Sequence, residues 1–429
     1  MATCSTMSVA PRPDRFAPMA SPFTARVHAS VAAINAAAWD ACANPPGRSF
    51  EEAEGERFNP FLAHAFLNAL EASGSVGGRS GWGPAHVTVE EAGGRIVAVA
   101  PCYLKTHSQG EYVFDHAWAD AYERAGGRYY PKLQVAVPFT PVTGRRLLVA
   151  GDAPEGARQA LIGALRQLRK ETKTSSVHFT FPTAEDADRL AGAGFLIRTG
   201  EQFHFSCNGY STFDDFLAAL ASRKRKAIRR ERREALDGGV EIEWLTGPSI
   251  RSAHWDAFFK FYMETGSRKW GRPYLTRAFF DLIGATFADR ALLIMARRAG
   301  RYIAGAINFL GDDALYGRNW GAIEHHPFLH FEVCYYQAID FALSRGLRRI
   351  EAGAQGEHKL ARGYRPTLTY SAHEFADPRL QRAVADYLGH ERVAVERTIA
   401  HYEEYAPFRR GDGGAEGPGH MGEAFEPDL

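Results

Sequence analysis

"ALLIMARRAGRYIAGAINFLGDDALYGRNWGA", residues 291–322, decides how this chain folds. Its apolar runs are broken at Gly300 and at Gly311-Asp312, the pattern of strand, tight turn, strand, turn and strand. "HFEVCYYQAIDFALSRGLRRIEAGA" follows at residues 330–354 and predicts a helix feeding another strand. The same order occurs earlier. "AHVTVEEAGGRIVAVAPCYLKTHSQGEYVFD" predicts a strand, a turn at Gly93 and Gly94, and a strand; "GARQALIGALRQLRKETKTSSVHFTFPT" predicts a helix feeding a strand. "AGGRIVAVA" (92–100) overlies "AGRYIAGA" (299–306), and "LAGAGF" (190–195) overlies "LARGY" (360–364). An internal repeat is the economical explanation, although two meanders with glycine turns also look alike without one.

The 429 residues exceed one ordinary core, so two domains are expected. With 45% hydrophobic and 24% charged residues, most of the chain should fold. No apolar run is long enough to span a bilayer, and the first twenty residues lack the core of a secretory signal. A cytoplasmic protein is expected. Residues 1–22 and 409–429 read as disordered tails, the first with the alternative of an organelle transit peptide. Cys4, Cys42, Cys102, Cys207 and Cys334 are scattered, which suits neither a disulfide framework nor a zinc site. Adjacent His325 and His326 would point apart on a strand, and no metal is expected.

"FDDFLAALASRKRKAIRRERREALDGG" predicts one basic helix over 213–236, ended by Gly238 and Gly239. Its core, 223–233, holds eight basic residues in eleven. A net charge of +1 excludes a uniformly basic surface, so any anion site is local. A solvated face is the ordinary meaning of such a run. The single acid Glu231 leaves the cations in excess, which makes Arg223, Lys226, Arg229 and Arg230 candidates for phosphate binding.

Meander, helix, strand, then a Gly-aromatic pair after another helix is the order of the GNAT acyltransferase fold. The chain resembles two such units in tandem, with mixed, largely antiparallel sheets, over 23–205 and 206–408. That arrangement is similar to the Fem-type peptidoglycan aminoacyltransferases. More narrowly, "FDHAWADAY", "YYPKLQVAVPFTPVTGRRLL", "NWGAIEHHPFLHFEVCYYQ" and "EAGAQGEHKLARGYRPTLTYSAHEF" resemble the bacterial Fem-like predicted N-acyltransferases of peptidoglycan biosynthesis or recognition. The likeness covers about residues 24–405. It implies transfer of an acyl or aminoacyl group to an amine, with acyl-CoA or aminoacyl-tRNA as co-substrate, no covalently bound cofactor, and a peptide or muropeptide acceptor. The chain departs from GNAT enzymes at "EHHPFLHFE", which lacks the pyrophosphate-binding glycines. It departs from Fem-type enzymes at Ala361, where their lysine stands, leaving Lys359 to serve from two residues earlier.

The chain has no P-loop, no His-Glu-x-x-His and no Gly-x-Ser-x-Gly. Acyl transfer needs a site for an oxyanion and a means of taking the amine's proton. On the strand ending "LRRIEAGA", Ile350 should face the core and Glu351 the other way. Glu351 is expected to position or deprotonate the amine and Lys359 or His358 to stabilise the oxyanion. Gln355, Arg362, Tyr364, Asn319 and Trp320 are expected at the substrate. The corresponding first-half strand "SSVHFTFPTAEDA" lacks this set, so the second unit should be the active one. Glu351 and Arg362 would otherwise be an ordinary surface pair. In the first half Trp118, Tyr130, Lys132, Thr140 and Arg145 are expected on the acceptor side, with a core under a long loop as the alternative. A non-catalytic reader of cell-wall fragments or peptides is the alternative function.

Overall fold

A computed structural model describes residues 22–45, 57–270, 273–353 and 356–409. The first lobe contributes β1 (Phe23–His28), β2 (Trp82–Pro84), β3 (His86–Glu91), β4 (Ile96–Ala100), β5 (Cys102–Lys105), β6 (Lys132–Val135), β7 (Leu148–Val149), β8 (Ser176–Thr180) and β9 (Leu196–Ser206). The second contributes β10 (Val240–Thr246), β11 (Ala291–Arg298), β12 (Arg301–Leu310), β13 (Ala314–Ala322), β14 (Arg349–Glu351) and β15 (Arg365–Phe375). Both glycine-turn hairpins form, β3 with β4 and β11 with β12. The fold is mixed α/β, two GNAT-like units in tandem. Residues 1–21 and 410–429, which hold nearly all of both expected tails, lie outside the described residues, as do Cys4 and Gln355.

Pairing crosses between the units. One sheet runs β10-β11-β12-β13-β14-β9-β15-β8-β6-β5-β2, and β1-β3-β4-β7 form a second. β9, the last strand of unit one, lies against β14 of unit two; β15, the last strand of unit two, lies against β8 of unit one. β9 and β15 pair antiparallel from Arg365↔His204 to His373↔Leu196. The expected boundary at 205/206 falls one residue before β9 ends.

One face of the sheet in unit two packs Leu315, Ile350 and Phe205 under Ile228, Val333 and Ile339 of the overlying helices. The other packs Ile307, Phe309 and Tyr316 against Phe61, Phe66 and Phe258. The basic segment is not the single helix expected over 213–236. It forms helices Phe213–Ala219 and Ser222–Leu236, because Leu220 is extended and bridges Phe408, while the Ala221 N–H donates to the Pro407 carbonyl. Burial of Leu220 and this local pairing outweigh continuity of the helix, a tertiary override of propensity.

Gly363 turns the chain into β15 at φ +84°, and a Cβ there would meet the Phe216 ring at 2.6 Å. Gly346 has φ +64° with nothing within 4 Å. Gly363→Ala should therefore destabilise by roughly 2–4 kcal/mol, combining left-handed strain with overpacking. Gly346→Ala should lose only about 1 kcal/mol. Urea unfolding of the two variants separates these contributions.

Candidate active site

β13 and β14 are parallel and pair only through Ala314↔Arg349, Leu315↔Ile350 and Tyr316↔Glu351. β14 then stops, since Gly353 adopts φ +79°, a conformation that leaves the strand. β13 continues to Ala322 and β9 extends past His204 on the other side, so the sheet is open above the end of β14. At the same level β13 carries a bulge: Gly317 faces Asn308 and Asn319 faces Ile307, with Arg318 unmatched between them. Such bulges re-aim side chains at sheet openings.

Glu351 stands at the floor of this opening. It is 3% exposed and does not face solvent. Arg349 Nε donates to its Oε1 at 3.2 Å, and His204 Nε2 lies 3.8 Å from Oε2, beyond hydrogen-bond range. Oε2 accepts no hydrogen bond from any described residue. Arg349 is itself fixed by Asp313 at 2.7 Å and by the Tyr316 hydroxyl at 3.2 Å. One carboxylate oxygen is thus anchored and the other left open, in a setting where an unpaired buried acceptor is costly.

Beside Glu351 a cavity of about 100 Å³ is walled by Asn308, Gly317, Arg318, Asn319, Trp320, His330, Cys334, Tyr335 and Ala352 among others. Asn308 is 1% exposed and its Nδ2 has no hydrogen-bond partner among the described residues. Below lies Lys359, 1% exposed, whose Nζ donates to the Gly353 carbonyl at 2.9 Å. Burial pulls its pKa down to about 8. The short helical turns Glu357–Arg362 that carry it fold back beneath helix residues 329–336, where Tyr335 Oη and His358 Nε2 are 2.8 Å apart.

Glu351 lies on the face of the sheet that carries Tyr316, while Asn319 and Trp320 line the cavity, whose walls include neither Glu351 nor Lys359. Arg362 and Tyr364 do not reach it. Arg362 pairs with Glu231 at 3.0 Å and lies over the Phe331 ring, and Tyr364 is fully buried among Phe205 and Tyr335. Asn308, Arg318 and Cys334 were not singled out from sequence. Asn308 alone left a trace there, a lone amide in the apolar run of β12.

Arg318 and Asn319 also line a small aromatic cavity of about 20 Å³, with Phe139, Thr140, Tyr262 and Tyr274. Tyr112 is common to that cavity and to a groove of about 330 Å³ over β9 and β15, walled by Phe114, Arg198, Thr199, Gln202, Thr369 and Ser371. The small aromatic cavity thus shares walls with each of the other two spaces. Of the residues expected on the acceptor side, only Thr140 lines one of these. Lys132 is fully buried, bound to Glu111 at 2.8 Å and Asp115 at 2.5 Å. Trp118 packs on His373 and Phe375, Tyr130 bonds Ser108, and Arg145 donates to the carbonyls of Cys42 and Ala43.

A match to the FemAB-like family, described as peptidoglycan biosynthesis/recognition, covers residues 30–410. The chain belongs to this family. No curated protein matches the sequence. Among solved structures, this FemAB-like chain is similar to L-PGS from Bacillus licheniformis at 12% identity and TM-score 0.46, over 79% of this chain and 99% of that one. FemX matches at 12% identity and TM-score 0.49, over 84% and 100%. A tandem GNAT protein from the clavulanic acid biosynthesis pathway matches at 12% and 0.43, over 83% and 99%.

On the helix Ser222–Leu236, Arg232 is tied inward to Glu332 at 3.0 Å and Asp340 at 2.7 Å. Glu231 also turns inward, so it neutralises none of its helical neighbours. Outward, Arg229 reaches Asp214 and Arg230 reaches Glu234. Arg223, Lys224, Lys226 and Arg233 are exposed and have no ion pair among the described residues. No group of three or more His, Cys, Asp or Glu suited to a metal occurs among them, and no described helix is long and apolar enough to cross a membrane.

The depressed Lys359 pKa has a thermodynamic consequence. The unfolded lysine, near 10.5, holds its proton more tightly than the folded one, so this residue makes stability rise with pH between about 8 and 10.5. Below that window its charge is a standing cost of up to about 3 kcal/mol. Lys359→Met should raise stability at pH 7 by about 1–3 kcal/mol, with the advantage shrinking as pH rises to 10.5. Urea unfolding across that range tests the sign.

Proposed function

We propose that this FemAB-like protein is an N-acyltransferase whose second unit transfers an acyl or aminoacyl group to an amine, with a peptide or peptidoglycan precursor as acceptor. The observation that carries the reading is the half-anchored, buried carboxylate of Glu351 at the floor of a sheet opening, beside a cavity lined by an unpartnered amide. Glu351 Oε2 is available to take a hydrogen bond, then the proton, from an attacking amine. In this reading Asn308 Nδ2, on the cavity wall, donates to the oxyanion, with the Lys359 ammonium as a second donor. By ladder register the first-unit position matching Glu351 is Phe179, since Val135↔Phe179 closes the parallel β6–β8 pairing as Tyr316↔Glu351 closes β13–β14. A buried phenylalanine takes no proton, which supports a reading with the chemistry in unit two.

In this reading the donor occupies the cavity under Trp320 and His330, and the acceptor approaches from the groove over β9 and β15. The unpaired cations Arg223, Lys224 and Lys226 favour a polyanionic donor carrier, aminoacyl-tRNA before acyl-CoA.

Glu351→Gln keeps the shape and removes the base. With folding confirmed by circular dichroism, it should lower kcat for transfer of label to a muropeptide by about a hundredfold or more. Unchanged transfer removes Glu351 from the mechanism, and binding of muropeptide without any transfer by the wild type favours a non-catalytic reader. For a tRNA donor, log affinity should fall against log salt with a slope of about 0.7–0.9 per phosphate neutralised. Arg223→Glu and Lys226→Glu should each lower that slope, as filter binding across salt concentrations would show.

A further inference from the structure

The helix over the cavity is irregular where it meets the site. Glu332–Tyr336 form a π-helical turn between the α-helical residues Leu329–Phe331 and Gln337–Ser344. Single π turns of this kind recur at functional sites because the extra residue shifts the phase of the helix. Here Val333 and Tyr336 stay in the core, while consecutive residues Cys334 and Tyr335 both line the cavity. Cys334 is the central residue of the wide turn and is half-buried. Cys42, Cys102 and Cys207 are enclosed in the cores, where burial raises their thiols to about 11, 12 and 12. Lys359 is close enough to Cys334 for the two to act on each other electrostatically. Across the same cavity stands Asn308, almost wholly buried with an unpartnered Nδ2. A half-buried thiol on the wall of a cavity that also holds an unused, buried amide donor supplies two parts of a thioester-forming step: a nucleophile and an oxyanion donor.

We propose that Cys334 is a covalent acyl carrier, so that transfer takes place in two steps. The Cys334 sulfur attacks the carbonyl carbon of the donor. A C–S bond forms, the bond from that carbon to the carrier's oxygen or sulfur breaks, and the departing carrier takes the proton released by the thiol. The acceptor amine then attacks the thioester carbonyl. A C–N bond forms, the C–S bond breaks, and the amine's proton returns to the Cys334 thiolate. The carrier rests on the acyl-transfer reading above and specifies its order of events: the donor carrier leaves before the acceptor reacts.

The test uses the full chain in a Cys4→Ser background with p-nitrophenyl acetate as an activated ester and no amine present. Intact mass should rise by one acetyl group, the adduct should map to the peptide holding Cys334, and hydroxylamine or glycinamide should discharge it. Cys334→Ala and Cys334→Ser, each checked by circular dichroism, should give no thioester. With radiolabelled aminoacyl-tRNA or acetyl-CoA and a muropeptide, Cys334→Ala should lower kcat by on the order of a thousandfold or more. No adduct at Cys334, or an adduct that glycinamide does not discharge, overturns the carrier. Wild-type transfer by Cys334→Ala overturns it too and leaves acyl transfer standing by direct attack. Absence of amide product with either donor in the wild type removes acyl transfer and the carrier together.

Discussion

The exchange of final strands between the two units is the constraint on which the rest of this structure depends. β9 and β15 pair along nearly their whole lengths, and each fills the place beside the other unit's short parallel strand. The lobes therefore share a sheet and do not merely touch. Because β9 runs on where β14 stops, the opening above β14 has an edge from each lobe, β13 from the second and β9 from the first. His204 of β9 approaches the Glu351 carboxylate from the first lobe, and Arg349 reaches it along β14 itself. A site built this way is held by backbone ladders on both sides, which fixes side-chain positions more tightly than a cleft between hinged domains would.

Two buried polar clusters in the molecule differ in how far their groups are paired. In the first lobe Lys105 and Lys132 meet Glu111 and Asp115, two cations with two anions, and Lys132 makes three short contacts, to Ser108, Glu111 and Asp115. Together with the buried His178–His373 contact across β8 and β15, this network ties the exchanged strand into the first lobe. In the second lobe, among the described residues, one Glu351 oxygen and the Asn308 amide nitrogen have no hydrogen-bond partner, and Lys359 donates to the Gly353 carbonyl. Burial without satisfaction costs stability. Polar groups held in that state are poised for a partner that arrives from outside.

Much of this was legible in the chain. The glycine turns, the period-two strands and the repeated order announced the meanders, and Glu351 followed from alternation along a strand whose Ile350 had to be inside. Asn319 and Trp320 followed from closing the second meander. Arg362 and Tyr364 misled because a Gly-rich polar stretch says nothing of which side chains turn toward the sheet: Arg362 found Glu231, over one hundred residues away in sequence. Lys132 and Arg145 looked like ligand-binding cations, yet their partners are two loop carboxylates and distant backbone carbonyls that local pattern does not reveal. The break at Leu220 was likewise invisible, since it is imposed by residues 407–409 returning from the far end of the chain.

Residue order alone determined the glycine-turn hairpins, their succession within each unit and the face of β14 that carries a carboxylate, because these follow from backbone geometry acting over a few residues. The tertiary structure decided the exchange of β9 and β15, the opening above β14, the bulge at Arg318 and the π turn that sets Cys334 beside Asn308. Those features depend on contacts between residues far apart in the chain, where burial and pairing of the assembled sheet outweigh local preference.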